Sequence, residues 1–420
     1  MPLDVRNLNV VILVDHGYVS GGQSKVAIES ALGLAAAGAT PVFFCACGPV
    51  DERLSAAGIR TVCLGQRDIL ENPSRAAAAM QGIWNLEAAK ALSGVLRGLP
   101  RENTIIHVHG WAKALSPSIG RAIAASGLPA VYTMHEYFLF CPNGGFYDYR
   151  SDRVCHREPM SAACWATNCD SRNYPFKLWR NARLTIAELS GFPSVFRDFI
   201  LISPLQEKLL PSFLPKGAAV HRVCNPVEAE PLGPKPAPAT GDFLFVGRLS
   251  AEKGAALFAQ AAEAAGVAAV FIGDGPAAGE LRAKYPRARL LGWRSPAKVR
   301  EAMRAARALV FPSLWYEGLG LTALEAKAMG TPVIVSDICA ARDEIADGSE
   351  GLWFASGDAA SLSQALRRMA DDAQVARLAQ GAYESYWRNP PTLSRHVAET
   401  LVVYEAALAR KVAITADSPG

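Results

Sequence analysis

The reading turns on Phe311-Pro-Ser-Leu-Trp-Tyr-Glu317-Gly-Leu-Gly-Leu-Thr-Ala-Leu-Glu325-Ala-Lys-Ala-Met-Gly330-Thr-Pro-Val333. An apolar run ends at Phe311, a glycine-bearing loop carries Glu317, and a helix begins near Gly320 with Glu325 about one and a half turns in. Strand, loop, helix and strand in this order form a unit of a parallel sheet. Two carboxylates then stand at the C-terminal edge of a sheet, beside the free N–H groups and the positive end of a helix. Open parallel sheets bind ligands there, and phosphate is well held there. Two carboxylates eight positions apart are more often simply solvated, so the stretch needs support from elsewhere.

Support comes from Phe243-Leu-Phe-Val-Gly247-Arg248-Leu-Ser-Ala-Glu-Lys253-Gly254. A strand, a glycine turn and two cations at a helix start set a guanidinium fork and an ammonium point charge against a diphosphate. Alone, both would read as surface cations. Ile272-Gly273-Asp274-Gly275-Pro276 and Leu291-Gly292-Trp293 repeat the pattern of a strand ending in a glycine turn. With further strands at 308–311, 333–335 and 351–354, residues 242–384 read as one doubly wound lobe.

The first half alternates in the same way. Strands are expected at 10–14, 41–46, 61–64, 105–109, 130–133, 199–202 and 220–223, with a helix from about Ser24 to Ala37 and a long helical stretch from Ala76 to Leu96. Residues 1–225 therefore form a second doubly wound lobe. Its alternation breaks at about 137–183, a Cys-, aromatic- and Arg-rich insertion. Residues 226–241 hold five prolines and read as a linker. Residues 385–420, interrupted by Pro390 and Pro391, are expected to form a tail helix packing back on the first lobe.

Composition bounds the rest. The 420 residues include 43 Lys plus Arg, 39 Asp plus Glu and 50% hydrophobic residues, which excludes a disordered or fibrous chain. The net charge of +4 lies wholly in residues 1–240, with 23 basic and 19 acidic side chains, and Arg150 to Arg183 holds seven basic against three acidic. Such a patch suits an anionic acceptor, an anionic membrane face or plain solvation. Nucleic acid is not expected, because the balance is only mildly basic and no recognition motif accompanies it. No signal peptide and no membrane-spanning stretch is visible, and nine cysteines then belong in a reducing compartment. A cytoplasmic protein is expected, with peripheral contact at the inner membrane face as a further reading.

On these motifs the chain resembles the retaining glycosyltransferases of family 4, the glycosyl transferases of group 1, whose GT-B fold sets two Rossmann-like lobes face to face across a cleft. The resemblance runs from Gly21-Gly22 to the tail. It implies a hexosyltransferase that uses a nucleoside-diphosphate sugar, of uridine or guanosine, for surface polysaccharide or glycoconjugate synthesis. By the same resemblance Glu317 holds hydroxyls of the donor sugar and Glu325 the ribose. Arg248 and Lys253 neutralise the departing diphosphate, with the turn at Gly247 and the helix start at Gly320, Leu321 and Thr322. His135 touches the donor sugar, and the Gly21-Gly22 loop lies near the diphosphate and the acceptor. No cofactor is required for catalysis, and the partners are the nucleotide-sugar donor and a glycan or lipid-linked acceptor.

Two features of the first lobe stand apart. Cys141, Cys155, Cys164 and Cys169 would gather as a structural zinc or iron–sulfur site, with free thiols or a disulfide as the other readings. Tyr174 to Arg183 interleaves aromatics with cations, which suits either a membrane interface or a packed helix with its cations outward. The competing functions are a GT-B-like sugar-nucleotide epimerase or phosphorylase, a nicotinamide dehydrogenase, and a non-catalytic nucleotide-sugar-binding protein. Gly273-Asp-Gly275 lacks the third glycine of a dinucleotide fingerprint, which weighs against the dehydrogenase.

Overall fold

The computed structural model describes residues 3–233, 235 and 241–416, with the backbone alone for residues 411–416. Pro234, Pro236 and Pro238 of the expected linker lie outside the described residues.

Strands β1 (Asn9–His16), β2 (Thr40–Cys47), β3 (Arg60–Cys63), β4 (Thr104–Val108) and β5 (Ala130–Thr133) open the first lobe. A two-stranded antiparallel hairpin, β6 (Tyr147–Asp148) and β7 (Arg153–Val154), interrupts it, and β8 (Asp198–Leu201) and β9 (Ala219–Arg222) complete it. Seven strands run parallel in the order β3-β2-β1-β4-β5-β8-β9. In β1 seven successive residues are buried, as a strand covered on both faces requires. Val11 and Leu13 join the core on one face with Phe44, Trp111 and Phe199. Val10, Ile12 and Val14 join the other face with Ile28, Val403 and Tyr404.

The second lobe repeats the plan. Strands β10 (Phe243–Val246), β11 (Ala269–Ile272), β12 (Arg289–Leu290), β13 (Ala308–Phe311), β14 (Val333–Ser336) and β15 (Gly351–Phe354) form a parallel sheet in the order β12-β11-β10-β13-β14-β15. Both sheets reverse strand order once, between β1 and β4 and between β10 and β13. The expectation of two doubly wound lobes is met.

The helical stretch expected from Ala76 to Leu96 is instead two helices, Arg75–Ile83 and Leu86–Arg97. Asn85 breaks it: its Oδ1 caps Ala88 N–H at 3.1 Å and its own N–H is held by Ser116 Oγ at 2.8 Å. Two chain passages join the lobes side by side. Val227 N–H donates to Pro391 O at 2.8 Å, and Leu393 N–H donates to Glu228 Oε1 at 2.6 Å. Beyond that crossing the helix Leu393–Ala416 lies on the first lobe, where Tyr404 OH meets His107 Nδ1 at 2.7 Å and His396 Nε2 meets Ser30 Oγ at 2.7 Å.

Candidate active site

The two points where strand order reverses face one another. Helix Gly22–Ala36 follows β1 and helix Leu321–Ala328 follows β13, and a Cβ on Gly22 would stand 3.1 Å from Leu321 Cδ1. Gly22 is therefore a point of close approach between the lobes, and Gly21, the N-cap, is in an ordinary extended conformation at φ 167°. Lys25, one helical turn on, reaches Glu325 Oε1 at 3.4 Å across the cleft.

In the second lobe the loops after β10 and β13 touch because Gly254 permits it. At φ +69° its missing Cβ would lie 1.9 Å from Pro312 O. This brings Lys253 to Glu317, sixty-four residues away in sequence, in a direct ion pair. Ser313 Oγ donates to the other oxygen of Glu317 at 2.5 Å, and Lys253 Nζ lies 5.6 Å from the Trp315 ring centroid. Arg248, exposed on the same loop, forms no ion pair among the described residues and stands near Arg172 and Tyr149 of the first lobe. Gly247 and Gly273 sit at adjoining strand ends, and a Cβ on Gly273 would meet Gly247 O at 1.9 Å. Gly320 caps the helix that Leu321 and Thr322 begin.

His135 comes to the same cleft from the first lobe. A Cβ on Gly318, next to Glu317, would lie 3.4 Å from His135 O and 2.9 Å from Gln206 Nε2. The His135 ring meets His109 Nδ1 through Nε2 at 3.0 Å, and burial depresses its imidazole to about 3. The ring is thus neutral near pH 7 and acts as a hydrogen-bonding group, not a cation. His135, Lys253, Glu317 and Glu325 stand where the lobes approach, with Arg248 on the loop that carries Lys253. Lys25 and Ser313 join them without having been singled out in the sequence. A lysine in the first turn after Gly21-Gly22 and a serine four before Glu317 were the available signals, and neither is distinctive by itself.

The structure leaves Cys141, Cys155, Cys164 and Cys169 as separate thiols. Among the described residues no group of three or more His, Cys, Asp or Glu side chains is placed to hold a metal ion, and all nine cysteines are free thiols. A side-chain cation stands among these sulfurs instead. Buried Lys177 donates to Cys164 Sγ at 3.3 Å, and the neighbouring thiols Cys169, Cys164 and Cys141 raise its pKa against the opposing effect of burial. Asn143 Nδ2 donates to Cys169 Sγ at 3.1 Å and Arg157 to Cys155 Sγ at 3.6 Å.

The helix Tyr174–Leu189 also differs from both readings made of it. Its cations turn inward: Lys177 enters the thiol cluster, Arg180 binds Asp170 at 2.8 Å, and Arg183 donates to Ala112 O at 2.7 Å. Arg183 also lies 5.0 to 5.4 Å from the ring centroids of Trp111, Phe138 and Trp179. A helix that buries its cations has no basic face to lay on an anionic membrane. Among the described residues no helix is long and apolar enough to cross one.

Comparison with known proteins matches the two lobes to two family models. Residues 21–172 match the glycosyl transferase 4-like domain, and residues 240–372 match the glycosyl transferases group 1. A galactosyltransferase of Escherichia coli, named as acting from UDP-Gal on a GlcNAc-diphosphoundecaprenol, is 33% identical over 144 residues, 31% of this chain and 36% of its own length. A 2-deoxystreptamine N-acetyl-D-glucosaminyltransferase of Streptomyces fradiae is 29% identical over 71% of this chain and 68% of its own length. The chain thus spans little more than a third of the first relative and about two thirds of the second. In fold it resembles a glycosyltransferase from Rickettsia africae (TM-score 0.64, 17% identity, 96% of this chain and 99% of that one). An Anabaena protein solved with UDP and glucose is similar to the same degree (TM-score 0.64, 16% identity, 94% and 99%). With both lobes matched in order and the two parallel sheets joined as described, the chain belongs to the group 1 glycosyltransferases of the family 4 type, with the GT-B fold.

Proposed function

We propose that the protein transfers a hexose from a nucleoside-diphosphate sugar to a glycan or lipid-linked acceptor, with retention of anomeric configuration. The observation that carries this is the Lys253–Glu317–Ser313 cluster at the β10–β13 switch point, opposite His135 and beside the N-terminus of helix Leu321–Ala328. One relative's named use of UDP-Gal and the Anabaena protein's UDP and glucose support a uridine-linked donor.

In this reading Lys253 and Arg248 take the diphosphate, with the free amides at Gly320 and Leu321 completing the anion site. Glu317, held by Ser313, accepts from sugar hydroxyls, Glu325 accepts from the ribose, and His135 offers a neutral nitrogen to the sugar. The bond from the anomeric carbon to the diphosphate oxygen breaks while the acceptor oxygen bonds to that carbon on the same face. The acceptor proton passes to the leaving phosphate oxygen. Negative charge grows on the diphosphate as it leaves, so fixed cations bind the transition state more tightly than the substrate. Nothing in this chemistry calls for a metal. A reaction fed by nucleotide sugars belongs in the cytoplasm.

Replacing Lys253 by Ala should lower turnover by about 10²–10³-fold, the usual loss when one fixed electrostatic contact to a transition state is removed. Thermal unfolding should stay near that of wild type, because Lys253 is surface-accessible to 24% in its side chain. The check is transfer from UDP- and GDP-sugars together with calorimetric binding of UDP and GDP. Undiminished turnover in the variant, or no response to either diphosphate, would defeat the reading.

A further inference from the structure

A cavity of about 810 Å³ opens between the β7 hairpin end of the first lobe and the strand-end loops of the second. Its first-lobe wall carries Asp152, Arg153, His156 and Arg157, and its second-lobe wall Leu314, Ile338 and Asp358. Its volume falls in the range of small-molecule binding sites.

Its position is set by strand order. Arg248 and Lys253 follow β10, Glu317 follows β13, and Ile338 and Asp358 follow β14 and β15. The cavity therefore lies on the opposite side of the Glu317 loop from the diphosphate cations. It borders that loop directly: Leu314 is three residues before Glu317, and Ala340, two after Ile338, donates its N–H to Glu317 O at 3.1 Å.

Its lining carries two arginines, a histidine and two aspartates. Asp358 is engaged as a helix cap, accepting from Ala360 N–H at 2.8 Å and Ser361 N–H at 3.1 Å. Asp152 accepts from Tyr147 OH at 3.4 Å, and Arg157 lies 3.2 Å from Asp148 Oδ2. Arg153 is exposed and forms no ion pair among the described residues. Arg153, outside any ion pair among the described residues, and Arg157, shared with Asp148, thus face the apolar patch of Leu314 and Ile338 across the cavity. A planar fork of donors beside an apolar patch suits a phosphoryl group attached to something less polar.

We propose that this cavity is the acceptor subsite, and that it takes an acceptor bearing a phosphoryl or diphosphoryl group, bound by Arg153 and Arg157. The inference rests on the glycosyltransferase reading and narrows its acceptor class. The phosphoryl group can come from a soluble sugar phosphate or from a prenyl diphosphate carrier, and the test separates the two.

The protein, saturated with whichever of UDP and GDP it binds, is titrated calorimetrically with glucose 1-phosphate, citronellyl diphosphate and neutral methyl α-glucoside. At least one phosphoryl probe should bind tenfold or more tightly than the neutral glucoside, and the tighter of the two identifies the source. Arg153→Ala with Arg157→Ala should weaken that binding at least tenfold while leaving nucleotide binding intact. Ser356→Trp, which fills the cavity from the other wall, should weaken it similarly. Binding unchanged in both variants, preference for the neutral glucoside, or no binding of either phosphoryl probe to the nucleotide-loaded protein would overturn the inference. Failure of UDP and GDP to bind at all would instead remove the reading beneath it.

Discussion

Glu136 follows His135 directly and points into the first lobe, where Phe138 N–H donates to Oε2 at 2.8 Å and Tyr132 OH to Oε1 at 3.4 Å. Burial raises its carboxyl to about 7 from 4.5, with Asp15 adding to the effect while Phe138 N–H and Arg183 oppose it. Between these two values the folded protein holds more protons than the unfolded chain, so this group's contribution to stability falls as pH rises through the window and is level above it. Glu136→Gln keeps an acceptor for Phe138 and removes the titration. Its melting temperature relative to wild type should therefore rise from pH 4.5 to pH 7, and parallel curves for the two proteins would show that Glu136 does not titrate there. At this scale the sequence pointed to Glu317, Lys253 and Arg248, whose spacings follow strand and helix ends. It missed Ser313 and Lys25, whose roles depend on which side chain stands across a gap.

Among the elements, the short loop at Lys253–Gly254 has the least freedom. The left-handed backbone of Gly254 and the approach of Pro312 O to 1.9 Å of its Cβ position leave no room for a side chain. Gly254→Ala should destabilise the protein by roughly 3 kcal/mol, combining backbone strain with a clash against main chain. It should also separate Lys253 from Glu317, so donor binding falls along with stability. Denaturant unfolding and nucleotide titration would test this together, and a variant as stable as wild type would show that the loop shifts freely. The parallel strands were legible because runs such as Val10–Val14 and Phe243–Val246 are apolar without alternation, the mark of sheets covered on both faces. The break at Trp84–Asn85 was not, since the capping asparagine acts only when Ser116 takes its N–H.

The whole molecule is held in register by the tail. Tyr404 OH and Thr133 Oγ1 each lie 2.7 Å from a nitrogen of buried His107, beneath the His109–His135 pair. Tyr404→Phe should cost about 1–3 kcal/mol by leaving a buried imidazole nitrogen without its partner. Stability should fall with little change in donor KM, because the tail touches the back of the sheet and not the cleft. Chemical denaturation paired with steady-state kinetics would show it, and a change in KM without a change in stability would point to a direct part in binding.

The sequence by itself determined two parallel sheets, their glycine turns, and a glutamate pair and cation pair at the C-terminal strand edges, since these follow from the periodicity of apolar residues and from local turn chemistry. Only the tertiary structure decided what the irregular segment 137–183 does. Lys177 stands against Cys164 Sγ, and Arg180 and Arg183 turn inward to Asp170 and Ala112 O. Arg153 and Arg157 are left to line the cavity beside Glu317. The helical period sets residues 177, 180 and 183 on one side, but which groups meet that side to satisfy their charge is decided only when the chain has folded.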